Sequence, residues 1–169
     1  MKFFKFIYQD QVSNHLNPKG KTVMLLFRIA NYTSINRTAK YLLYPYLFFY
    51  RGLVEWIFGI EIPYQTSIGE GLTLYHGQAL VINAGTIIGR NCIIRHCTTI
   101  GNNGRVEGSP HIGDNVEIGS NVCIIGPITI GDNVVIGAGC VLTKSIPSNS
   151  IVVGNPARII QQKWDLMES

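Results

Sequence analysis

The sequence is short of the residues that cross-link small secreted domains or bind structural metals. It has four cysteines, Cys92, Cys97, Cys123 and Cys140, and no two of them form a Cys-x-x-Cys pair. Zinc sites and redox centres usually carry such pairs, and disulfide frameworks belong to oxidising compartments. We therefore expect buried, reduced thiols in a cytoplasmic protein, with no metal and no disulfide.

Long apolar runs and nucleic-acid motifs are absent as well. The first residues, MKFFKFIYQD, reach Gln9 and Asp10 too soon to form the apolar core of a secretory signal. In the apolar stretch 41–60 only ten uncharged residues precede Arg51, and a bilayer span needs about 20. No P-loop, dinucleotide fingerprint or nucleic-acid-binding module occurs. The sequence therefore predicts neither a membrane span nor a nucleic-acid partner.

Charge and glycine are unevenly distributed along the 169 residues. Residues 1–58 hold 8 basic and 2 acidic side chains, a net +6, and residues 59–169 hold 6 basic and 8 acidic, a net −2. Sixteen of the 18 glycines lie in the second part. We predict an α-helical N-terminal arm over 1–58, a repetitive domain over 59–160 and a C-terminal tail over 161–169.

What the second part has in abundance is a six-residue repeat. Seven isoleucine–glycine pairs fall on it, beginning at Ile68, Ile88, Ile100, Ile112, Ile118, Ile130 and Ile136. From Ile82 to Leu142 every sixth residue is aliphatic, Val106 included. A helix needs a period near 3.6 and a strand a period of 2. The pattern instead indicates a parallel β-helix, in which each hexapeptide is a short strand and a corner, with the aliphatic residue pointing inward.

The sequence of the arm predicts three helices, over 3–15, 20–35 and 37–58. In the third, six apolar residues fall near one face: Leu42, Tyr46, Phe49, Leu53, Trp56 and Ile57. One interpretation is a cap that covers the unpaired edges of the first coil. The other is a membrane-interface surface, with aromatic side chains among headgroups and the positive charge facing anionic lipid. The two interpretations are compatible.

The final segment, residues 136–160 (IGAGCVLTKSIPSNSIVVGNPARII), resembles the last coil and VxGxPAR exit of the hexapeptide-repeat acyltransferases. That family implies a left-handed β-helix with three hexapeptides per coil, against the usual right-handed crossover. FRIANY (27–32) and GIEIPYQTSIGEGLTLYHG (59–77) resemble the serine acetyltransferase branch. HGQALVIN, IRHCTTIGN and SPHIGDNVEIG resemble its capsule and exopolysaccharide members, of the colanic acid type. The resemblance implies acetyl-CoA as co-substrate and a homotrimer with active sites between subunits.

The chain departs from serine acetyltransferases at residues that would bind the acceptor. Tyr75 stands where they have an aspartate, and Ser109 where they have a second active-site histidine, with His111 displaced by two. Their long N-terminal extension and the C-terminal tail that docks in cysteine synthase are missing. We therefore expect acetylation of a sugar hydroxyl of a capsular or exopolysaccharide, or of its lipid-linked precursor, and no cysteine synthase partner.

Three alternatives stay open for the function. A serine O-acetyltransferase and a non-catalytic hexapeptide-repeat scaffold are compatible with the same repeat. A metal-dependent hydro-lyase on the same solenoid would bind zinc through histidines. It is disfavoured because the closely spaced histidine pair of that family is missing.

The resemblance assigns catalysis to His76, which would accept the hydroxyl proton and then protonate the departing thiolate. Glu61, fifteen residues earlier, matches the family's aspartate and would orient the imidazole. One coil takes eighteen residues, and the span from Leu74 to Ile82 has two extra. His96 should therefore lie one coil above His76, about 4.8 Å along the axis, where it would contact the acceptor or stack as a structural residue.

Residues 101–111, GNNGRVEGSPH, are rich in turn formers and predict a substrate loop that bulges from the coil. Arg105, Ser109 and His111 in this loop, together with Tyr75, are the expected acceptor contacts. The resemblance also implies where the donor lies, with its pantetheine arm along backbone amides and its phosphates on basic side chains. These residues are Gly101, Asn102, Ser120 and Ala138 for the arm, and Lys144 and Arg158 for the phosphates.

Overall fold

The helical arm begins the structure, a computed structural model that describes residues 3–162. Its helices are α1 (Phe3–Ile7), α2 (Pro18–Ile35), α3 (Arg37–Leu42), α4 (Tyr44–Tyr50) and a π-helix (Arg51–Ile57). The first and third predicted helices are both wrong in extent. Residues 8–16 form turns, and Pro45 starts a new helix because its ring and missing N–H suit a first turn but not a helix interior.

The rest of the described chain is a solenoid of fifteen short strands. They are β1 (Ile60–Glu61), β2 (Ser67–Ile68), β3 (Thr73–Tyr75), β4 (Leu80–Ile82), β5 (Ile87–Ile88), β6 (Ile93–Arg95), β7 (Thr99–Gly101), β8 (His111–Ile112), β9 (Glu117–Ile118), β10 (Cys123–Ile125), β11 (Thr129–Ile130), β12 (Val135–Ile136), β13 (Val141–Leu142), β14 (Ser150–Val153) and β15 (Arg158–Gln162).

The strands stack in three sheets. The first contains β1, β4, β7, β10 and β13, and the second contains β2, β5, β8 and β11. The third contains β3, β6, β9, β12 and β14, with β15 antiparallel at its edge. This is the predicted left-handed parallel β-helix, with about five turns.

Aliphatic side chains stacked in register fill the solenoid. In the third sheet Ile94, Ile118 and Ile136 pair on successive coils, and none is more than 2% exposed. Burying such a side chain contributes roughly 1.5–3 kcal/mol. Because the coils repeat the same contact, the six-residue pattern predicts most of the core of the solenoid.

One predicted inward residue does not belong to this core. β7 lies in the first sheet and β8 in the second, so residues 102–110 are an insertion between neighbouring strands. Val106 lies in this loop and is 57% exposed, which makes its predicted inward position wrong. The predicted bulge of the coil is confirmed, since the turn-forming residues leave the solenoid instead of adding a strand.

The four cysteines are free thiols. Cys92 and Cys140 take inward positions, and burial raises the pKa of Cys92 to about 11 and also raises that of Cys140. Cys123 is half-buried. Cys97 is exposed because it lies at a corner, with a φ of 55°, so the expected burial is wrong for it.

The arm covers the open edge of the first coil with polar side chains. Backbone groups of that coil are hydrogen-bonded to Asp10, Asn14, Asn17, Arg28, Asn31 and Tyr50. Asp10 accepts the N–H groups of Gly71 and Leu72 at 2.8 and 3.0 Å. Arg28 donates to the Ile68 carbonyl and forms an ion pair with Asp10 at 2.6 Å. The predicted cap is confirmed by these contacts.

The buried face of the arm differs from the predicted one. Leu47, Tyr50 and Val54 pack in the core. Of the six residues predicted to share one face, four are more than half exposed: Leu42, Phe49, Trp56 and Ile57. The break after α3 and the change to a π-helix move later residues out of a single 3.6-residue register. Within residues 3–162 no helix combines the length and apolarity that a membrane crossing requires.

Candidate active site

Two histidines lie where the third sheet turns into the first. β3 ends at Tyr75 and His76 follows it, while β6 ends at Arg95 and His96 follows it. Tyr75 and Arg95 pair on neighbouring coils, and the two imidazole centroids are 5.6 Å apart at an angle of 81°. The predicted place of His96, one coil above His76, is confirmed. We refer to this turn as the histidine corner.

His76 has an uncommon backbone conformation. Its φ is +64°, and Gly77 after it has a φ of +67°. A left-handed conformation costs a non-glycine residue about 1–2 kcal/mol, and Cys97 and Asn133 adopt it at other corners, so it belongs to the geometry of the coil. The His76 side chain is exposed, whereas His96 is half-buried. Among the described residues the Nδ1 atom of His96 is buried and has no hydrogen-bond partner.

Glu61 lies on β1, at the same end of the solenoid as the histidine corner. The corner is tied to the start of β1, because the Ala79 N–H donates to the Gly59 carbonyl at 2.8 Å. Glu61 itself pairs with Val81 in the first sheet. The ion pairs within residues 3–162 do not include Glu61 with His76. Their predicted catalytic contact therefore stays a prediction.

A cavity of about 420 Å³ lies along the first sheet, beginning at Glu61. Its lining includes Asn83, Thr99, Gly101 and Asn102. A side chain at Gly101 would meet only the Asn83 Cβ within 4 Å, at 3.8 Å, so the backbone there is open to a closely approaching ligand. Two residues of the predicted donor site thus line one open groove, which suits an extended pantetheine arm.

The other predicted donor contacts lie further along the solenoid. Ser120 and Ala138 continue the column of the histidine corner, since the Asn121 N–H bonds to the His96 carbonyl and the Gly139 N–H to the Ser120 carbonyl. Lys144 and Arg158 line one cavity of about 180 Å³ beside β13. The structure therefore brings the two basic residues together, near the end of the solenoid remote from the arm.

The predicted acceptor contacts are not brought together in a single chain. Tyr75 is 40% exposed, and the Arg95 guanidinium lies over its ring, 5.7 Å from the centroid. Arg105 is on the exposed loop, which borders its own cavity of about 360 Å³. His111 begins β8 in the second sheet, beside Ile87, and so lies on a different face from His76.

Sequence reasoning missed the residue that joins two of these regions. Asn83 lines the first-sheet cavity, and its Oδ1 accepts the Ser109 hydroxyl and the Gly85 N–H, both at 2.9 Å. It thereby ties the loop to the groove. Its position directly after a grid residue, before Ala84 and Gly85, is a corner signal that could have drawn attention to it.

Comparison with known proteins identifies the family of the chain. A family model described as bacterial transferase hexapeptide (six repeats) matches residues 109–144. The putative colanic acid biosynthesis acetyltransferase WcaB of Escherichia coli strain K12 is 40% identical over 156 residues, 89% of this chain and 96% of that protein. Soybean serine acetyltransferase apoenzyme has a TM-score of 0.79 at 28% identity, over 94% of this chain and 69% of its own.

A solved complex also bears on the donor. The serine acetyltransferase of Brucella abortus strain S19 in complex with coenzyme A has a TM-score of 0.79 at 26% identity, over 95% of this chain and 68% of its own. The chain therefore belongs to the hexapeptide-repeat acetyltransferases. Within them it falls in the branch of the serine and colanic acid acetyltransferases, and it is an acetyl-CoA-dependent acyltransferase.

Proposed function

We propose that this protein acetylates a sugar hydroxyl of a capsular polysaccharide or exopolysaccharide, or of its lipid-linked precursor. The observation that carries the proposal is the match to a protein named for colanic acid biosynthesis over 96% of that protein's length. Tyr75 and Ser109 support it, because they replace polar groups expected to hold a small zwitterion. An aromatic ring is also better suited to lie against a sugar.

The proposed reaction is a direct transfer with His76 as the general base. His76 accepts the proton of the hydroxyl while the oxygen attacks the thioester carbonyl carbon. When the tetrahedral intermediate collapses, the C–S bond breaks and His76 returns the proton to the departing thiolate, which leaves an acetate ester and free CoA. Glu61 would orient the imidazole and stabilise its charged form. His96 would support the His76 ring or contact the acceptor.

The donor would lie along the first sheet. Gly101, Asn102, Ser120 and Ala138 border the path of the pantetheine arm, and small or backbone groups there permit close approach. Lys144 and Arg158 would hold the nucleotide phosphates, since they line one cavity. No metal is required for this chemistry, because the thioester is already an activated acyl group.

We infer that the protein is a homotrimer with three sites, each shared by two chains. Aliphatic side chains outside the core support this, since Val81 is 38% and Ile87 44% exposed. Sharing would let Arg105 or His111 of one chain reach the histidine corner of its neighbour. Light scattering at micromolar concentration should give three times the 18.7 kDa chain mass, and a monomeric mass would contradict the inference.

We also infer that the arm contacts the inner face of the cytoplasmic membrane. Besides Trp56, six apolar side chains between residues 41 and 57 are more than half exposed: Tyr41, Leu42, Tyr44, Phe48, Phe49 and Ile57. Such side chains suit the headgroup region, and the net +6 of residues 1–58 favours anionic lipid. Binding to anionic vesicles should weaken as ionic strength rises, because salt screens the attraction. Vesicle binding that does not change with ionic strength would contradict this membrane contact.

Product analysis tests the acceptor class. The protein and acetyl-CoA are incubated separately with oligosaccharides, lipid-linked glycans and L-serine, and products are identified by mass spectrometry. We expect acetylated glycan and no useful turnover of L-serine. Serine O-acetylation is the second candidate, favoured by the solved serine acetyltransferases. Saturable acetylation of L-serine at sub-millimolar concentration would establish that function instead. If no tested acceptor leads to release of CoA, a non-catalytic scaffold is favoured.

A further inference from the structure

A second cavity lies between the arm and the first coil, outside the donor groove. It encloses about 400 Å³ and is lined by Arg51, Glu55 and Trp56 of the π-helix and by Glu61, Tyr64 and Gln65 of the first coil. Sites for small organic ligands have volumes of about 300–1,000 Å³. The space is therefore sufficient for a ligand the size of a sugar unit. We refer to it as the arm cavity.

The π-helix brings its three lining residues to one side. In an α-helix the residue at i+5 points well away from residue i, but in a helix with i→i+5 hydrogen bonds it lies nearly above it. The Phe58 N–H bonds to the Leu53 carbonyl, five residues back, at 2.9 Å. Trp56 therefore projects on the same side as Arg51. Short π-helical turns are frequent at functional sites, and this one forms a wall.

The lining combines an aromatic face with paired polar groups. Trp56 is 83% exposed, so its ring is free to be covered by a ligand. The Arg51 Nε donates to Glu55 Oε2 at 3.2 Å, which offsets the two charges, and Gln65 adds a neutral amide. A pyranose has an apolar C–H face and a rim of hydroxyls. The ring face suits the indole, and hydroxyls suit guanidinium, carboxylate and amide groups.

The arm cavity adjoins the donor groove. Glu61 and Pro63 line both cavities, and the donor groove leads on to Gly101 and Asn102. A sugar held against Trp56 would thus lie on one side of Glu61, with the donor on the other.

We propose that the arm cavity is a sugar-binding subsite. It holds a pyranose unit of the acceptor next to the unit that is acetylated, with Trp56 as the stacking platform. This assignment rests on the proposed function, because it names where the glycan acceptor of that reaction lies. Trp56 and its neighbours touch the acceptor away from the reacting hydroxyl, so they set acceptor affinity and not the rate of the chemical step.

A free amino acid fits the arm cavity less well than a sugar. A zwitterion needs one cation and one anion that are free to pair with it, and Arg51, the one basic residue among the described residues of the lining, already pairs with Glu55. Separating them to receive a small ligand would cost their mutual attraction. A neutral ligand that bridges both groups with hydroxyls leaves the ion pair in place.

Fluorescence tests the subsite without turnover. The chain has two tryptophans, Trp56 and Trp164, so a Trp164→Phe variant leaves Trp56 as the only tryptophan reporter. Titration with methyl glycosides of glucose, galactose and fucose, and with their disaccharides, should change the emission in a saturable way. L-Serine should not. Unchanged emission with every sugar up to its solubility would overturn the subsite.

Kinetics then separate the subsite from the chemistry. With an oligosaccharide acceptor, Trp56→Ala should raise the acceptor KM by roughly three- to tenfold, the range expected for one lost aromatic contact. The kcat and the acetyl-CoA KM should be unchanged, and Trp56→Phe should recover most of the affinity. Phe4→Ala is the matched control, because Phe4 is 71% exposed on the same arm but lies outside the cavity and outside the proposed membrane-contacting set.

The two proposals fail in distinguishable ways. If the wild-type protein acetylates glycans and Trp56→Ala keeps the wild-type acceptor KM, the subsite is wrong and the proposed function stands. If the wild-type protein acetylates L-serine and no glycan, the proposed function is wrong and the acceptor role of the subsite falls with it.

Discussion

The arm and the solenoid share one hydrophobic core but bury different kinds of side chain. Inside the solenoid the inward positions are mostly aliphatic, and backbone groups pair with the next coil, as the Thr99 N–H does with the Val122 carbonyl at 2.8 Å. The arm buries Asp10, Asn14 and Arg28, whose side chains bind the backbone of the first coil. A repeat thus supplies its own hydrogen-bond partners except at its end, where polar side chains replace the missing coil.

The contrast between regular coils and their interruptions also indicates where the candidate site lies. A regular coil exposes only repeated corners and short strands. The candidate site lies where the repeat is interrupted, at the two-residue excess of the histidine corner and at the inserted loop 102–110. The arm cavity adds a third interruption, because it forms where helices meet the first coil. Regularity gives a rigid support, and departures from it carry the functional side chains.

The largest effect should come from the histidine corner. If His76 of the histidine corner is the general base, His76→Ala should lower kcat by roughly 10²–10⁴-fold. The affinity for acetyl-CoA should change little, because a general base acts in the transition state. Glu61→Gln should cost less. Steady-state kinetics with saturating acetyl-CoA measure both changes. His15→Ala is the control, since it removes an exposed histidine of the arm. Near-normal turnover of the His76 variant would show that the base has been misassigned.

The next effect should come from the arm. Arg28→Ala leaves Asp10 as a buried, unpaired carboxylate, and breaking a buried pair costs about 3–5 kcal/mol. The matched control is Arg90→Ala, which breaks the exposed pair with Asp114 in the solenoid and should change stability little. Denaturant unfolding at one protein concentration compares the two variants. Equal losses would mean that the arm is not held by its buried polar contacts.

The solenoid could be predicted from the sequence because its physics is local and repeated. Each hexapeptide repeats the same kind of inward residue and the same corner. A single misassigned residue therefore does not change the predicted fold. Val106 shows the limit, since a valine at the correct spacing in a turn-rich loop looks like a core residue. The arm has no repeat to average over. Its break near Pro45 and its π-helix depend on packing against the first coil, and the six residues predicted on one face therefore differ in exposure.

The relative position of the two histidines could be predicted, because it follows from the number of residues in each coil. The spacing of His76 and His96 includes the two-residue excess, and the structure bears it out. The role of Glu61 was taken from a resemblance, and the single chain leaves it apart from His76. The bond between Asn83 and Ser109 and the arm cavity could not be predicted, because both arise from contacts between distant segments. No spacing within the sequence encodes such contacts.

A smaller effect should distinguish the corners of the solenoid from the caps of the arm. Asn133 has a φ of 57°, and its side chain bonds to Asn149 at 3.0 Å and to Asn115 at 3.2 Å. Asn133→Ala should cost about 1–2 kcal/mol, the usual cost of a left-handed alanine. Asn133→Gly should cost less, because glycine adopts this φ readily. Thermal unfolding measures both. If glycine proved worse than alanine, the side-chain ladder and not the backbone conformation would set the stability of the corner.

The smallest effect concerns the pH dependence of the exposed pair in the solenoid. The Arg90 N–H, and after it the Arg90 guanidinium, hold the pKa of Asp114 below its ordinary value. Because the folded-state pKa is lowered, the ionised carboxylate stabilises the fold above the unfolded pKa of about 3.9. That contribution is lost as the pH falls through the folded value. Asp114→Asn should therefore be less stable than wild type at neutral pH, and the difference should shrink at acidic pH. Glu107→Gln, which removes the same charge from the exposed loop, should show no such convergence. A gap between Asp114→Asn and wild type that is the same at pH about 3 and about 7 would mean that hydrogen-bond geometry, and not charge, links these two coils.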